Sequence, residues 1–395
     1  MRCALVVLII LGGSVRAWAE DKPNPPAPQQ IRVALDRALT FLVTDQNPDG
    51  SWGSHRNAMH EFWSNPETHR AWIYATTGLC CMALQLAGES DEHLSAYDRG
   101  IDYLLANFKV KRPSDWDVDN TWAYVYGVQA LGRAYGNPRY ADGERRERIR
   151  QACRHLVGRL AAYQTPDGGW GYYDFKATTK RPSWATSFMT AAGILALLDA
   201  REAGLEVPPR ALERAVRAVK HCRLPTGAYT YSVEPVSDPS GLEWIDQIKG
   251  SLSRIQVCNL ALVRAGEDIP VGELKTGLAH FFREHRFLDV ARKKPWPHEA
   301  YYLNSGYFYF FGHYYAAGVV NLLPPEDRAA IWPRLCYECT KTQEKDGAMV
   351  DWYLSSYHKP YGTAYAAMVL AHALADTEAA AQQERAADAA QERSP

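Results

Sequence analysis

The stretch QTPDGGWGYYDF, Gln164 to Phe175, follows a helix-like run and decides how the chain is read. A near copy, QNPDGSWG, begins at Gln46, and a worn third, QEKDGAMVDW, begins at Gln343. The first two lie 118 residues apart and the last two 179 apart, which is two and three units of about 59 or 60. A fixed period marks an array of like units. Asp-Gly offers a tight turn with a permissive backbone. A following Trp can cover the end of a helical hairpin, and the Gln amide can bond loose backbone groups there. Gln46, Asp49, Trp52, Gln164, Asp167, Trp170, Gln343 and Asp346 are therefore expected to brace the fold rather than to carry chemistry.

Helical periodicity and breakers predict twelve helices between these braces: 30–46, 67–87, 92–108, 119–136, 143–164, 184–203, 208–222, 248–265, 270–289, 303–320, 325–343 and 360–376. Almost nothing alternates as a strand would. The run GERRERIRQACRHLVGRLAAYQ carries eight charges, WATSFMTAAGILALLDA one, and LNSGYFYFFGHYYAAGVV none. A helix polar on one face lies at a surface, and one apolar all round is buried. Charged and apolar helices alternate, which suits six hairpins closed into an all-α (α/α)6 toroid with the apolar helices inside. An open solenoid would leave that uncharged row facing water.

The ends read differently. Arg2, the apolar run from Ala4 to Leu11 and Ala17-Trp18-Ala19 have the form of a secretory signal over 1–19, so export to the periplasm or beyond is expected. A Pro-rich linker follows over 20–29. The toroid takes 30–376, and the Ala- and charge-rich 377–395 is expected to be disordered. No internal run is long enough for a transmembrane helix. The formal net charge of −1 gives no global field for nucleic acid. Cys336-x-x-Cys339 lacks a second ligand pair at matching spacing, so no metal is expected, and the remaining internal cysteines read as small buried hydrophobes.

The braces resemble the QW repeats of squalene–hopene and oxidosqualene cyclases, relatives of the terpenoid cyclase and protein prenyltransferase toroids. The resemblance spans roughly residues 30–376. Its best part is DVDNTWAYVYGVQAL, then a basic helix, then QTPDGGWGYYDF. It places Asp117, Asp119 and Thr121 on the family's Asp-x-Asp-Asp-Thr motif, with Asn120 where the third aspartate stands. The resemblance implies that Asp119 is the acid that protonates a polyene, with Asp117 and Asn120 beside it, no cofactor, and an apolar or terpenoid-like small molecule as partner. Such an acid must be kept protonated by burial and a neighbouring carboxylate, and the cation it makes needs aromatic faces. Trp122, Tyr126, Trp184 and Tyr309 are expected in that cavity. Asp119 also reads as a helix N-cap, since Asp-x-Asp-Asn-Thr is a reasonable helix opening. Two further function classes stay open. One is a binding scaffold that keeps only the repeat. The other is a polysaccharide-active barrel with Glu299, His313 and His358 in its bowl.

Overall fold

The computed structural model describes residues 25–54, 65–141, 143–176, 181–234, 244–353 and 356–391. The expected signal segment and the first half of the expected linker lie outside them. Thirteen α-helices occur among the described residues, with no strand beyond isolated bridges. The outer helices are α1 (Pro28–Asp45), α3 (Asp91–Asn107), α5 (Glu144–Tyr163), α7 (Pro209–His221), α9 (Val271–Arg283) with the short α10 (Arg286–Arg292), and α12 (Pro325–Thr340). The inner helices are α2 (Pro66–Ala87), α4 (Asn120–Gly136), α6 (Ser187–Glu202), α8 (Leu252–Arg264), α11 (Phe308–Val320) and α13 (His358–Gln391).

The inner helices pack in the order α2, α4, α6, α8, α11, α13, and α13 packs again on α2, so the ring is closed. Each outer helix lies against the inner ones beside it. The charge alternation explains this layering. Nearly every residue of α6 and α11 is buried, whereas α5 buries only a stripe that includes Ile149, Cys153, Leu156 and Leu160.

The braces close the ring one pair at a time. Gln164 Nε2 donates to the carbonyls of Gly168 and Ala211, both at 2.7 Å, tying the end of α5 to the start of α7. Gln46 does the same to Gly50 and Ala96 of α3. Gln343 reaches Gly347 at 3.1 Å and Ala34 of α1 at 2.8 Å, joining the last outer helix to the first. Trp52 and Trp170 are fully buried, and their indole N–H groups donate to Leu42 and Leu160 at 2.7 Å. Glycine is needed in the turn: Gly168 has φ +97°, and a Cβ there would stand 2.7 Å from the Arg214 carbonyl.

A fourth brace escaped the sequence reading. Arg223-Leu-Pro-Thr-Gly-Ala-Tyr229 begins 59 residues after Gln164, with Arg for Gln and Tyr for Trp. Arg223 reaches Glu273 of α9 by an ion pair where the other braces use an amide. The backbone N–H groups of Trp52, Trp170, Tyr229 and Met349 donate to Thr77, Thr190, Ser251 and Thr363 hydroxyls, so all four are one device.

Several boundaries differ from expectation. Helices α6, α8 and α11 start at Ser187, Leu252 and Phe308 rather than at 184, 248 and 303, because their entries are irregular or 3-10 turns. The expected helix 270–289 is instead α9 and α10, with a break at Glu284–His285. Helix α1 takes the last two residues of the expected linker, with Pro28 at its first position, where a missing N–H costs nothing. The tail expected to be disordered continues α13 to Gln391, and Arg32 holds Glu378 at 2.6 Å. Alanine is the strongest helix former, so this tail keeps its helix although most of its described side chains are exposed. All seven cysteines from Cys80 onward are buried and unpaired, and burial pushes the Cys336 thiol up to about 12. They pack as small hydrophobes.

Candidate functional site

Two backbone segments fix the entry to α4. Val118 N–H donates to Tyr172 carbonyl at 3.0 Å, and Asp174 N–H to Trp116 carbonyl at 2.7 Å. The buried Asp174 carboxylate then holds Arg112 at 3.0 Å and Ser183 Oγ at 2.7 Å. The DVDN segment is thus pinned against the GYYD segment of the best brace. Nothing in the sequence marked Asp174 for this clamp.

Asp117 and Asp119 are both buried. Asp117 Oδ2 accepts from Thr68 Oγ1 at 2.5 Å, and its Oδ1 accepts from the Asp119 N–H at 2.9 Å. Burial pushes the Asp117 carboxyl up, and these hydrogen bonds oppose the shift. Asp119 is pushed well above the ordinary carboxylate range, first by burial and then by the Asp117 charge, with a hydrogen bond from Trp72 working the other way. Both carboxyls are thus pushed towards the neutral form, Asp119 with the fewer opposing hydrogen bonds. Asp119 occupies the N-cap position of α4 but has helical φ and ψ, and its side chain makes no capping hydrogen bond. The N-cap alternative is corrected accordingly, since a cap needs the extended conformation that aims its oxygen at the helix N–H groups.

The Asp119 carboxyl opens on a half-open cavity of about 240 Å³ lined by the inner helices and the loops that lead into them. Its wall is aromatic: Trp72, Trp122, Tyr126, Tyr172, Phe188, Tyr307, Phe311, Trp352, Tyr361 and Tyr365 all contribute, and Asp119 is the single carboxylate among the described lining residues. Trp122 stacks on Tyr126 at 5.7 Å between ring centres, and Tyr365 donates to the Tyr126 hydroxyl. Two histidines join the wall. His358 Nδ1 lies 2.8 Å from the buried Asp351 carboxylate. His298 has φ +62°, and its Nδ1 faces the Leu303 carbonyl at 2.7 Å. That leaves Nε2 towards the Tyr307 hydroxyl at 3.0 Å, and burial keeps this imidazole neutral by lowering its pKa.

Of the expected cavity residues, Trp122, Tyr126 and His358 line the cavity and four others do not. Trp184 precedes α6 and packs outside the lining, against Tyr172 and Phe175, with its indole N–H on Ser232 Oγ at 3.1 Å. Tyr309 and His313 lie on the side of α11 away from the cavity, because residues two apart on a helix project to nearly opposite faces. Tyr309 donates to the Glu338 carbonyl, and His313 sits 3.0 Å from His285. Glu299 is exposed and accepts from the Trp296 N–H at 3.2 Å. Asn120 is buried beside Tyr124 rather than in the lining. Sequence reasoning missed Trp72, Tyr172, His298, Trp352 and Tyr361. Their common signal is position, since each lies in a loop before an inner helix or in that helix's first two turns.

Among the described residues one cluster has metal-ligand chemistry: His285, Asp289 and Glu338, away from the cavity. The Lys341 ammonium lies between its carboxylates, 2.8 Å from Asp289, so a cation already occupies the place.

No protein-family model matches the chain, and no curated protein matches it. Solved structures do. A type II terpene cyclase from Scytonema, in complex with geranylgeranyl dihydroxybenzoate, matches at a TM-score of 0.50 and 15% identity over 88% of this chain and 99% of that one. An α-1,6-mannanase variant from Salegentibacter sp. HEL1_6, in complex with alpha-1,6-mannotetrose, matches at 0.58 and 10% identity over 86% and 99%. A possible member of the GH105 family from Salmonella enterica serovar Paratyphi A matches at 0.53 and 13% over 89% and 95%. The chain shares the α/α-toroid fold. At these identities the likeness carries the architecture and leaves the chemistry to the site.

Proposed function

We propose that the cavity binds an apolar, isoprenoid-like ligand and that Asp119 starts its cyclisation. The observation that carries this reading is a buried carboxyl, its pKa pushed up by burial and by Asp117, as the sole acid among the described residues of an otherwise aromatic wall. In the proposed step the Asp119 O–H bond breaks and the alkene π pair forms a new C–H bond. The carboxylate left behind is held by the Trp72 hydrogen bond, and the carbocation faces the rings of Trp122, Tyr126 and Phe311. Aromatic faces attract cations, and a dry wall gives no water to quench one early. His298, neutral and set near the start of α11 across the ring from α4, takes a proton from the cyclised cation, so the net change is an isomerisation. The cavity is smaller than the usual range for ligand sites, roughly 300–1,000 Å³, which favours short linear isoprenoids over long ones.

The test is turnover of farnesol, geranylgeraniol and squalene by the purified protein and by Asp119→Asn, read by gas chromatography and mass spectrometry. A cyclic product from the parent and none from the variant is the expected result. No product from the parent on any of the three would sink the acid role. Retained binding without turnover would leave a carrier scaffold. The same aromatic wall, with the His358–Asp351 pair, also suits sugar rings, so α-1,6-mannan belongs in the panel. Release of reducing ends from it would replace the isoprenoid reading.

A further inference from the structure

Of the two histidines in the cavity wall, one has a carboxylate behind it. His358 opens α13 and lines the cavity, whereas Asp351 is fully buried outside the lining. The Asp351 Oδ1 lies 2.8 Å from His358 Nδ1. That contact fixes the tautomer, because a neutral ring that donates from Nδ1 keeps its lone pair on Nε2. The chain on both sides of Asp351 is tied down. Arg292 donates to the Val350 carbonyl at 2.7 Å, and the Trp352 indole donates to the Pro295 carbonyl at 3.0 Å. Trp352 also meets the imidazole edge-on, at 4.7 Å between ring centres.

Tyr361 completes the group. It lines the cavity in the first turn of α13, and its hydroxyl stands beside the imidazole, close to Nδ1 and 3.3 Å from Nε2. Burial, then the Asp351 charge, push this phenol well above its ordinary pKa, so it stays a neutral donor. At 3.3 Å it is a weak partner for the Nε2 lone pair, since a good O–H bond spans roughly 2.5–3.0 Å. A hydrocarbon in the cavity would shut water out and leave Nε2 with nothing better, at the cost of a poorly paired polar atom. An anionic head would be set against Asp351 and Asp119. A hydroxyl suits the place, because it donates to Nε2 and accepts from Tyr361.

We propose that the His358–Asp351 pair, with Tyr361, is the head-group site of this cavity and that the ligand is an isoprenoid alcohol rather than a hydrocarbon. The site rests on the isoprenoid reading above and narrows the ligand to a hydroxyl-bearing class.

Saturated ligands test this, because they have no alkene to protonate and report binding alone. Hexahydrofarnesol, its methyl ether and farnesane are titrated into the protein, and binding is read from the fluorescence of Trp72, Trp122 and Trp352 in the wall. The alcohol should bind at least about tenfold more tightly than the ether, which cannot donate, since a site built to bond a hydroxyl discriminates against analogues without one. His358→Leu should bring the alcohol down to the affinity of the ether and leave farnesane unchanged. A melting curve checks the variant, and where it fails to fold the alcohol-to-ether ratio of the parent decides alone. Nitrogen NMR of the parent at neutral pH should show His358 Nε2 without a proton. Equal affinity for alcohol and ether, a preference kept by a folded His358→Leu, or a protonated Nε2 would each overturn the proposal. So would tighter binding of hexahydrofarnesylamine than of the alcohol, which would make this a cation site. Farnesane bound as tightly as the alcohol removes the head-group site and leaves the apolar reading standing, whereas no binding of any of them removes both.

Discussion

The two ends of the barrel are built on opposite principles. At the cavity end the loops 46–65, 108–119, 164–186, 222–251, 293–307 and 341–357 run to between twelve and thirty residues. At the other end the loops 88–90, 137–143, 203–208, 265–270 and 321–324 need only three to seven. The short-loop end is stoppered by charge. Asp199 of α6 accepts from Arg264 at 2.7 Å and Gln129 at 3.1 Å, and lies 3.7 Å from Arg133, which in turn reaches Tyr314 at 3.2 Å. Both arginines stand in the last turn of an inner helix, where the helix dipole favours a cation. One end is thus a fixed polar plug, and the other is free to vary in length and chemistry. The candidate site lies with the long loops, and stability is shared between the plug and the braces.

That contrast can be broken by mutation. The largest expected effect is at the cavity end, where Asp119→Asn should abolish cyclisation. Trp170→Ala should follow, costing about 3–5 kcal/mol by chemical denaturation, because a fully buried ring and its hydrogen bond to Leu160 are lost together. An unchanged midpoint would show that the braces are decoration. Asp199→Ala should cost about 2 kcal/mol, less than a fully buried pair because both arginines are partly solvated. Binding in the cavity should not change, and a changed ligand affinity would mean that the two ends are coupled. Gln343→Ala removes two backbone contacts of the closing brace and should cost about 1–2 kcal/mol.

A pH series sharpens the site itself. The folded Asp119 carboxyl titrates above its unfolded value, so it costs the fold nothing below about pH 4, where both states are protonated. As pH rises from there through the raised value, the unfolded state loses its proton first and the parent loses stability. Asp119→Asn should therefore gain in melting temperature relative to the parent as pH rises from 4 to 8. Parallel curves would mean that Asp119 is ionised in the fold.

Much of the architecture was legible in the residues. Uncharged runs such as 303–320 cannot face water, and the repeated Gln and Trp set the period. Asp119 was singled out by its resemblance to a family motif, and the structure places it buried beside Asp117 at the cavity. What the sequence hid was orientation. A helix apolar all round has no preferred face, so nothing told Tyr309 and His313, which point away, from Tyr307 and Phe311, which line the cavity. Irregular loops hid the rest. Trp184 missed the wall because its helix begins three residues later. His298 owes its place to a left-handed backbone that no propensity foretells. The fourth brace was hidden because Arg223 and Tyr229 do the work of Gln and Trp with different atoms.

The closing contact has a consequence for how the chain is made. Gln343 and Ala34 are 309 residues apart in sequence, so their bond cannot form until Gln343 has left the ribosome. Until then the inner helices have no sixth neighbour, and α2 waits with one side uncovered. Contacts this distant are slow to find, and exposed apolar surface aggregates in the meantime. Nascent chains should therefore depend on a chaperone until α13 arrives, and a truncation ahead of His358 should be insoluble rather than merely less stable.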